Sequence, residues 1–321
     1  MNTATKLSGF ALGLAAVFGA TYGVGQLAAP GAPAAATRHD ATDAGHTDGD
    51  HATGTATTSH LPGGLLVSDR GYTMRPVTAP AGVFAFRITG PDGAPVTRYD
   101  VAHDKRMHLI VARRDLSGFR HVHPELAADG TWRVASPLAG PGVWRAFADF
   151  TPTGGQALTL GVDVTVPGAL EPRPLPAPAT STTVDGYTVT LAGAPQPGRT
   201  AELTLTVSRD GKPVTDLQPY LGAYGHLVAL RQGDLAYLHV HPDGAPGDGR
   251  TPAGPEIRFA AEIPSAGSYR LYLDFRHGDA VHTAEFTVVA GEPGAPATSA
   301  PAATTAPTAD AGHGAPGHGH N

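Results

Sequence analysis

One stretch of this chain occurs twice, 118 residues apart, and that duplication constrains the fold more than any other feature. The first copy runs from His108 to Pro124 and the second from His226 to Pro242. Each reads His, twelve residues, then His-Val-His-Pro. Asp92-Gly93-Ala94-Pro95-Val96-Thr97 and Asp210-Gly211-Lys212-Pro213-Val214-Thr215 keep the same spacing. Gly142–Phe150 and Gly267–Phe275 also match, at an offset of 125, so the second copy carries seven extra residues. The Gly- and Pro-rich segment Asp243–Pro255 is the natural place for them. A chain of 321 residues has room for about two domains, and two copies of one fold follow.

The fold class comes from punctuation. Strand-like runs at Leu65–Val67, Val83–Ile88, His108–Arg113, Trp132–Val134, Val143–Phe150 and Ala157–Val166 are separated by turns such as Gly90-Pro91-Asp92-Gly93. Short strands at regular spacing predict an antiparallel sandwich. In Val143–Asp149, the residues Trp144, Ala146 and Ala148 share one strand face. The reading is all-β: two tandem immunoglobulin-like antiparallel β-sandwiches after an N-terminal hydrophobic helix, with disordered His-containing tails. Residues 61–168 form the first sandwich and 181–291 the second. Alternate prolines in 169–180 predict an extended, semi-rigid spacer between them.

The ends carry other information. Lys6 precedes an uncharged run to Ala29, long enough to approach the roughly 20 apolar residues of a membrane span. Residues 1–29 read as a signal peptide or an uncleaved membrane anchor, the anchor favoured because the run exceeds a usual signal core. Both put the remainder outside the cytoplasm, secreted or tethered, in contact with the membrane only through this segment. Residues 30–60 and 292–321 lack large side chains that could build a core and read as a His- and Asp-containing linker and a His-containing tail. Their seven histidines (39, 46, 51, 60, 313, 318, 320) could hold metal weakly, but flexible ligands lose ordering entropy on binding, so a solvated linker is favoured.

Composition excludes several functions. There is no cysteine, so disulfides, thiolate nucleophiles, Cys-ligated zinc and blue-copper electron transfer are ruled out. A net charge of −6 with no basic block argues against nucleic acid. Neither a Ser-His-Asp spacing, nor paired carboxylates, nor a phosphate loop is visible, so an enzyme is not expected.

The histidines point to a site. A turn centred on Asp115-Leu116 sets His108 opposite His123, and a turn centred on Gly233-Asp234 sets His226 opposite His241. His121 and His123 share a strand face, as do His239 and His241. Three imidazoles on one face can converge on one ion, with metal–nitrogen bonds near 2.1 Å. The expected metal residues are therefore His108, His121 and His123 in one copy, and His226, His239 and His241 in the other. Imidazole suits Zn, Cu and Ni, and a three-His site with an open position takes Zn(II) or Cu(II). Met107 points to the opposite face and is Gly225 in the second copy. Asp149 and Asp274 occupy matching positions. Each reads as a fourth ligand, an acceptor for a His N–H, or, the favoured reading, an ordinary turn or salt-bridge residue. His103, His277 and His282 have no counterparts and read as surface residues. The alternative to metal is structural: buried histidines that brace loops beginning at Pro124 and Pro242.

Tyr220–Val228 followed by His239-Val240-His241-Pro242 resembles a module of secreted and membrane-anchored proteins of high-GC bacteria, the YtkA-like immunoglobulin-type domains. The resemblance covers roughly residues 61–290. Asp104–His108 stands where the second copy has Gly222–His226, so the first copy departs from it. It implies an extracytoplasmic β-sandwich associated with heavy metals or copper. Copper is the expected ion, with zinc or no metal as alternatives. The expected protein partner is a membrane metal transporter or another envelope protein. The function that follows is extracytoplasmic metal binding for sequestration, delivery or sensing; the alternative is a structural or protein-interaction module.

Overall fold

The first repeat contributes β1 (Ser68–Asp69), β2 (Tyr72–Val77), β3 (Val83–Thr89), β4 (His108–Arg113), β5 (Arg120–Val122), β6 (Glu125–Leu126), β7 (Thr131–Ala135), β8 (Gly142–Phe150) and β9 (Leu158–Val166). The second contributes β10 (Ser181–Val184), β11 (Tyr187–Ala192), β12 (Thr200–Arg209), β13 (Lys212–Pro213), β14 (Gly225–Arg231), β15 (Tyr237–Pro242), β16 (Glu256–Glu262), β17 (Gly267–His277) and β18 (Ala280–Ala290). The computed structural model describes residues 61–291, all of it strand, turn or loop. The N-terminal hydrophobic segment, the 30–60 linker and the 292–321 tail of the sequence reading lie outside the described residues. Among the described residues no helix is long and apolar enough to cross a membrane.

Both repeats are antiparallel sandwiches. In the first, sheet β1-β2-β3-β7-β6 faces sheet β5-β4-β8-β9. Alternate residues of both meet in one core: Phe84, Phe86 and Ile88 from β3, Leu109 and Val111 from β4, and Trp144, Ala146 and Ala148 from β8. In the second, β10-β11-β12-β16 continues through β15 into β14-β17-β18. Its core takes Leu203 and Leu205 from β12, Leu227 and Ala229 from β14, and Tyr269, Leu271 and Leu273 from β17. Strand β2, with Pro76 inside it, is not among the strand-like runs expected from the sequence. It is tolerated because β1 pairs only with Tyr72 and Thr73, leaving Pro76 a single neighbouring strand.

The two sandwiches are not beads on a spacer. A third apolar cluster joins them, built from Ile110, Ala112, Phe119 and Phe147 of the first and Val228, Leu230, Tyr237 and Tyr272 of the second. Its contacts are reciprocal. Phe119 stacks on Tyr272 (ring centroids 4.0 Å, planes 8° apart), and the equivalent Tyr237 packs on the equivalent Phe147 at 5.5 Å. Contacts in which i meets j and the copy of j meets the copy of i are the mark of two-fold packing. The buried Tyr272 hydroxyl also donates to the Leu116 carbonyl at 2.5 Å. The expected spacer takes part in this assembly: Leu175 packs on the cluster, Arg173 N–H donates to Asp115, and Ala179 N–H donates to the Thr287 carbonyl.

The segment before β1 is stitched to both halves. Gly64 N–H donates to Thr159, Gly161 N–H to Leu66, and Tyr237 N–H to Gly63. Arg145, buried on the seam face of β8, donates to the carbonyls of Gly64 (2.6 Å) and Leu65 (2.9 Å) and to Asp163 (3.1 Å). Gly161 permits this approach, since a Cβ there would lie 2.0 Å from the Gly64 carbonyl oxygen.

Candidate metal centre between the two sandwiches

The β4–β5 hairpin turns at Arg113–Gly118. Asp115 accepts from the backbone N–H (3.0 Å) and hydroxyl (2.6 Å) of Ser117, and Leu116 takes a left-handed conformation, φ 65°. The resulting register pairs Leu109 with Val122 and Ile110 with His121, which places His108 opposite His123 as the turn position predicts. In the second copy, Leu227 pairs with Val240 and Val228 with His239, the same register. Strand alternation then sorts the side chains. Leu109 and Val111 enter the sandwich core, while His108, Ile110 and Ala112 face the seam. Met107 is buried in the core, away from the histidines.

His108, His121 and His123 are gathered into one cluster, each offering a ring nitrogen within 4.8 Å of the others. Their hydrogen bonds fix which nitrogens carry protons. His108 Nε2 is 3.0 Å from the Ala102 carbonyl, which can only accept, so Nε2 bears the hydrogen and Nδ1 the lone pair. His121 Nδ1 donates to Asp274 Oδ2 at 3.0 Å, which leaves a lone pair on Nε2. The two lone-pair nitrogens, His108 Nδ1 and His121 Nε2, face each other at 3.0 Å. Two acceptors at that distance repel unless a cation, a proton or a metal ion, lies between them. His123 Nε2 is buried and has no hydrogen-bond partner. A separation of 3.0 Å is a hydrogen-bond distance, and two nitrogens at about 2.1 Å from one ion reach it only at an angle of about 90°, a tetragonal rather than a tetrahedral arrangement.

Burial keeps His108 and His123 neutral. Desolvation, with the Ala102 hydrogen bond opposing and the charge of His121 reinforcing, lowers the His108 pKa from 6.5 to about 4. Desolvation and then the neighbouring His121 and His108 lower that of His123 to about 3. Protons therefore compete weakly with a metal for these nitrogens near neutrality.

The second repeat enters the same neighbourhood. His226 Nε2 donates to the Tyr220 carbonyl at 2.9 Å, the counterpart of the His108–Ala102 bond, and desolvation lowers its pKa to about 4. The His226 ring lies 6.4 Å from that of His121. A cavity of about 10 Å³ is lined by His108, His121 and His226 together with Tyr237 and Val240. That is room for roughly one water-sized sphere. The side chains of His239 and His241 lie outside what the structure describes.

A scan against family descriptions matches this chain twice, at residues 73–168 and 182–292, to a domain of unknown function, DUF8832. The chain belongs to the DUF8832 family. No curated protein matches it. Among solved structures it is similar to the FN1–FN3 domains of chicken CNTN1, at 12% identity, covering 73% of this chain and 67% of that one with a TM-score of 0.20. It is also similar to a protein of Corynebacterium diphtheriae described as membrane anchored, at 11% identity, covering 70% of this chain and 58% of that one, TM-score 0.20.

Within the DUF8832 pair, three sequence expectations need correction. Asp274 is not an ordinary turn residue: it is buried, accepts from Thr283 at 2.6 Å, and orients His121 of the other repeat. Its equivalent Asp149 accepts from Thr159 and, across the seam, from Tyr237. His103 is not a plain surface residue either, since its ring stands 6.1 Å from His108 and 5.5 Å from His226. Its left-handed backbone, φ 49°, was not readable from residue type. His282 is buried on Tyr187 and Phe275 and bonded to Asp185, while His277 bridges the Tyr187 hydroxyl and Asp216. These two histidines fasten β17 and β18 of the second DUF8832 repeat to Tyr187, Asp185 and Asp216.

Proposed function

We propose that this protein binds a metal ion outside the cytoplasm, for sequestration, delivery or sensing, with copper first and zinc second. One observation carries the reading: His108 Nδ1 and His121 Nε2 face each other as lone pairs, each fixed by an acceptor on its other nitrogen. A metal-binding imidazole usually donates its other N–H to a carboxylate or a carbonyl, which fixes its tautomer and orientation, as Asp274 and Ala102 do here. The all-nitrogen donor set suits Cu(II) or Zn(II), and the likeness of the histidine segments to YtkA-like, copper-associated domains puts copper first. The cavity between the repeats, lined by His108, His121 and His226, has the size of one ion or one water. The uncharged N-terminal run supports the location. A membrane transporter or another envelope protein is the partner such a role calls for.

A second reading rests on the same contact. A proton on one of the two rings would also satisfy it, making His121 and Asp274 a buried ion pair that clamps the sandwiches. Calorimetric titration of the chelator-stripped full-length chain with Cu(II) and Zn(II) separates the two. The metal reading expects tight binding that is lost in His121→Ala/His123→Ala. Absence of tight binding by a folded wild-type chain overturns it and leaves the clamp.

A further inference from the structure

We propose that His103 is the entry ligand of the seam site: it takes an ion from a surface cavity on the first repeat and passes it to His108. This rests on the metal reading above and adds the route by which an ion reaches the buried imidazoles.

The position of His103 carries the argument. The turn before β4 and the turn before β14 have the same form. In the first, Ala102 and Lys105 exchange backbone hydrogen bonds around His103-Asp104 (φ 49° and 61°). In the second, Tyr220 and Ala223 do so around Leu221-Gly222 (φ 53° and 75°). The Ala102 carbonyl accepts from His108, and the Tyr220 carbonyl from His226. The turn tips meet between the repeats, since a Cβ on Gly222 would lie 3.9 Å from Asp104 Oδ2. A bulky side chain at positive φ is uncommon and needs a reason. Leu221 has one, because it is buried. His103 stands at the matching position only half-buried, with its ring 6.1 Å from His108 and 5.5 Å from His226. Leucine satisfies the fold of this turn, so what histidine adds is a ring nitrogen at the seam.

A cavity of about 260 Å³ lies beside this turn, and its lining includes Asp100, His103, Lys105, Arg106, His108 and Asp149. His108 also lines the cavity of about 10 Å³ that it shares with His121 and His226. Burial deepens along this line, from exposed Asp100 through half-buried His103 to His108 at 5% exposure. The carboxylates of Asp100 and Asp149 balance the charges of Lys105 and Arg106, so a cation meets no net positive field at the mouth. A neutral imidazole keeps one nitrogen lone pair whichever tautomer it takes, and Cu(II) or Zn(II) takes that nitrogen readily. His103 lies outside the gathered set of His108, His121 and His123, so it hands the ion on rather than keeping it.

Stopped-flow loading of the chelator-stripped full-length chain tests this, with Cu(II) supplied as its glycine complex and read by quenching of tryptophan fluorescence. Release is followed into excess chelator. His103→Leu gives the turn the side chain that its counterpart already carries. Loading and release are expected to slow together in this variant, by about 10-fold or more, with the dissociation constant unchanged, because a group on the path but absent from the end state alters both rates equally. His103→Ala leaves the way open but removes the nitrogens, and is expected to be slow as well. A loading rate of wild-type size in either variant overturns the entry role while leaving metal binding intact. So does slower loading with unchanged release, which makes His103 a ligand of the resting site. No tight binding by the wild-type chain overturns the metal reading and the route with it.

Discussion

Acidification gives the sharpest test of the seam. His108 and His226 are buried and neutral, with pKa values near 4 against 6.5 in an unfolded chain. As pH falls below 6.5 the unfolded chain takes up protons first, so protonation favours unfolding, and stability rises with pH throughout the interval from 4 to 6.5. Between pH 7.5 and pH 5 each ring costs about 2 kcal/mol of stability, from the ratio of the two binding polynomials at these pKa values. The pair costs about 4 kcal/mol, a large part of the 5–15 kcal/mol typical of a folded domain. Exposed carboxylates contribute little in this window, because most titrate below it. Urea unfolding of the metal-stripped chain at pH 7.5, 6.5, 5.5 and 5.0 should therefore show a steadily falling midpoint. The double variant His108→Gln/His226→Gln keeps donors for the Ala102 and Tyr220 carbonyls but cannot titrate. Its midpoint should fall much less over the same range. A wild-type midpoint that is flat between pH 7.5 and 5, or a variant that keeps the full slope, would refute the argument.

Other perturbations test single contacts. Asp274→Asn removes the charged acceptor of His121 and should weaken Cu(II) or Zn(II) binding about 10- to 100-fold, read by competition with a chromophoric chelator. Tyr272→Phe keeps the stack on Phe119 but strands the Leu116 carbonyl, so urea unfolding should show a loss of about 1–3 kcal/mol. Gly161→Ala puts a methyl group against the Gly64 carbonyl and should cost about 1–3 kcal/mol. In that variant, hydrogen exchange should speed up at Gly64 and Gly161 before it does in the sandwich cores.

The hairpins were legible because a turn position fixes a register, and a register fixes faces: placing the turn at Asp115-Leu116 was enough to set His108 opposite His123. The strands Val83–Thr89, Gly142–Phe150 and Leu158–Val166 were legible from alternation and turn residues. The seam was encoded as well, in the unbroken apolar runs Leu109–Ala112 and Leu227–Leu230. A strand with one wet face alternates; one buried on both faces does not. Every residue of those runs is buried, the odd-numbered ones in a sandwich core in each case and the even-numbered ones at the seam. Reading each copy as a self-contained domain hid that signal. Asp274 could not have been assigned to His121 from spacing, since 153 residues separate them and only docking of the repeats joins them. His103 was hidden for a related reason: a left-handed turn at His103-Asp104 with no counterpart residue type in the second copy directs it to the seam.

The duplication and the site explain each other. His108 pairs across the sheet with Asp149, a carboxylate of its own repeat, yet His121 is oriented by Asp274 of the other. A single sandwich would leave Ile110, Ala112, Phe119 and Phe147 uncovered on one sheet face, and the His121 ring without the carboxylate that sets its tautomer. Covering that face with a second copy of itself supplies both needs at once, because a self-complementary face brings its own acceptor back across the two-fold. The apolar part of the seam and the histidines are thus one device. The stacked aromatics hold the sheets at a fixed separation, and that separation places a carboxylate 3.0 Å from His121 and sets the ring nitrogens of His108 and His121 3.0 Å apart.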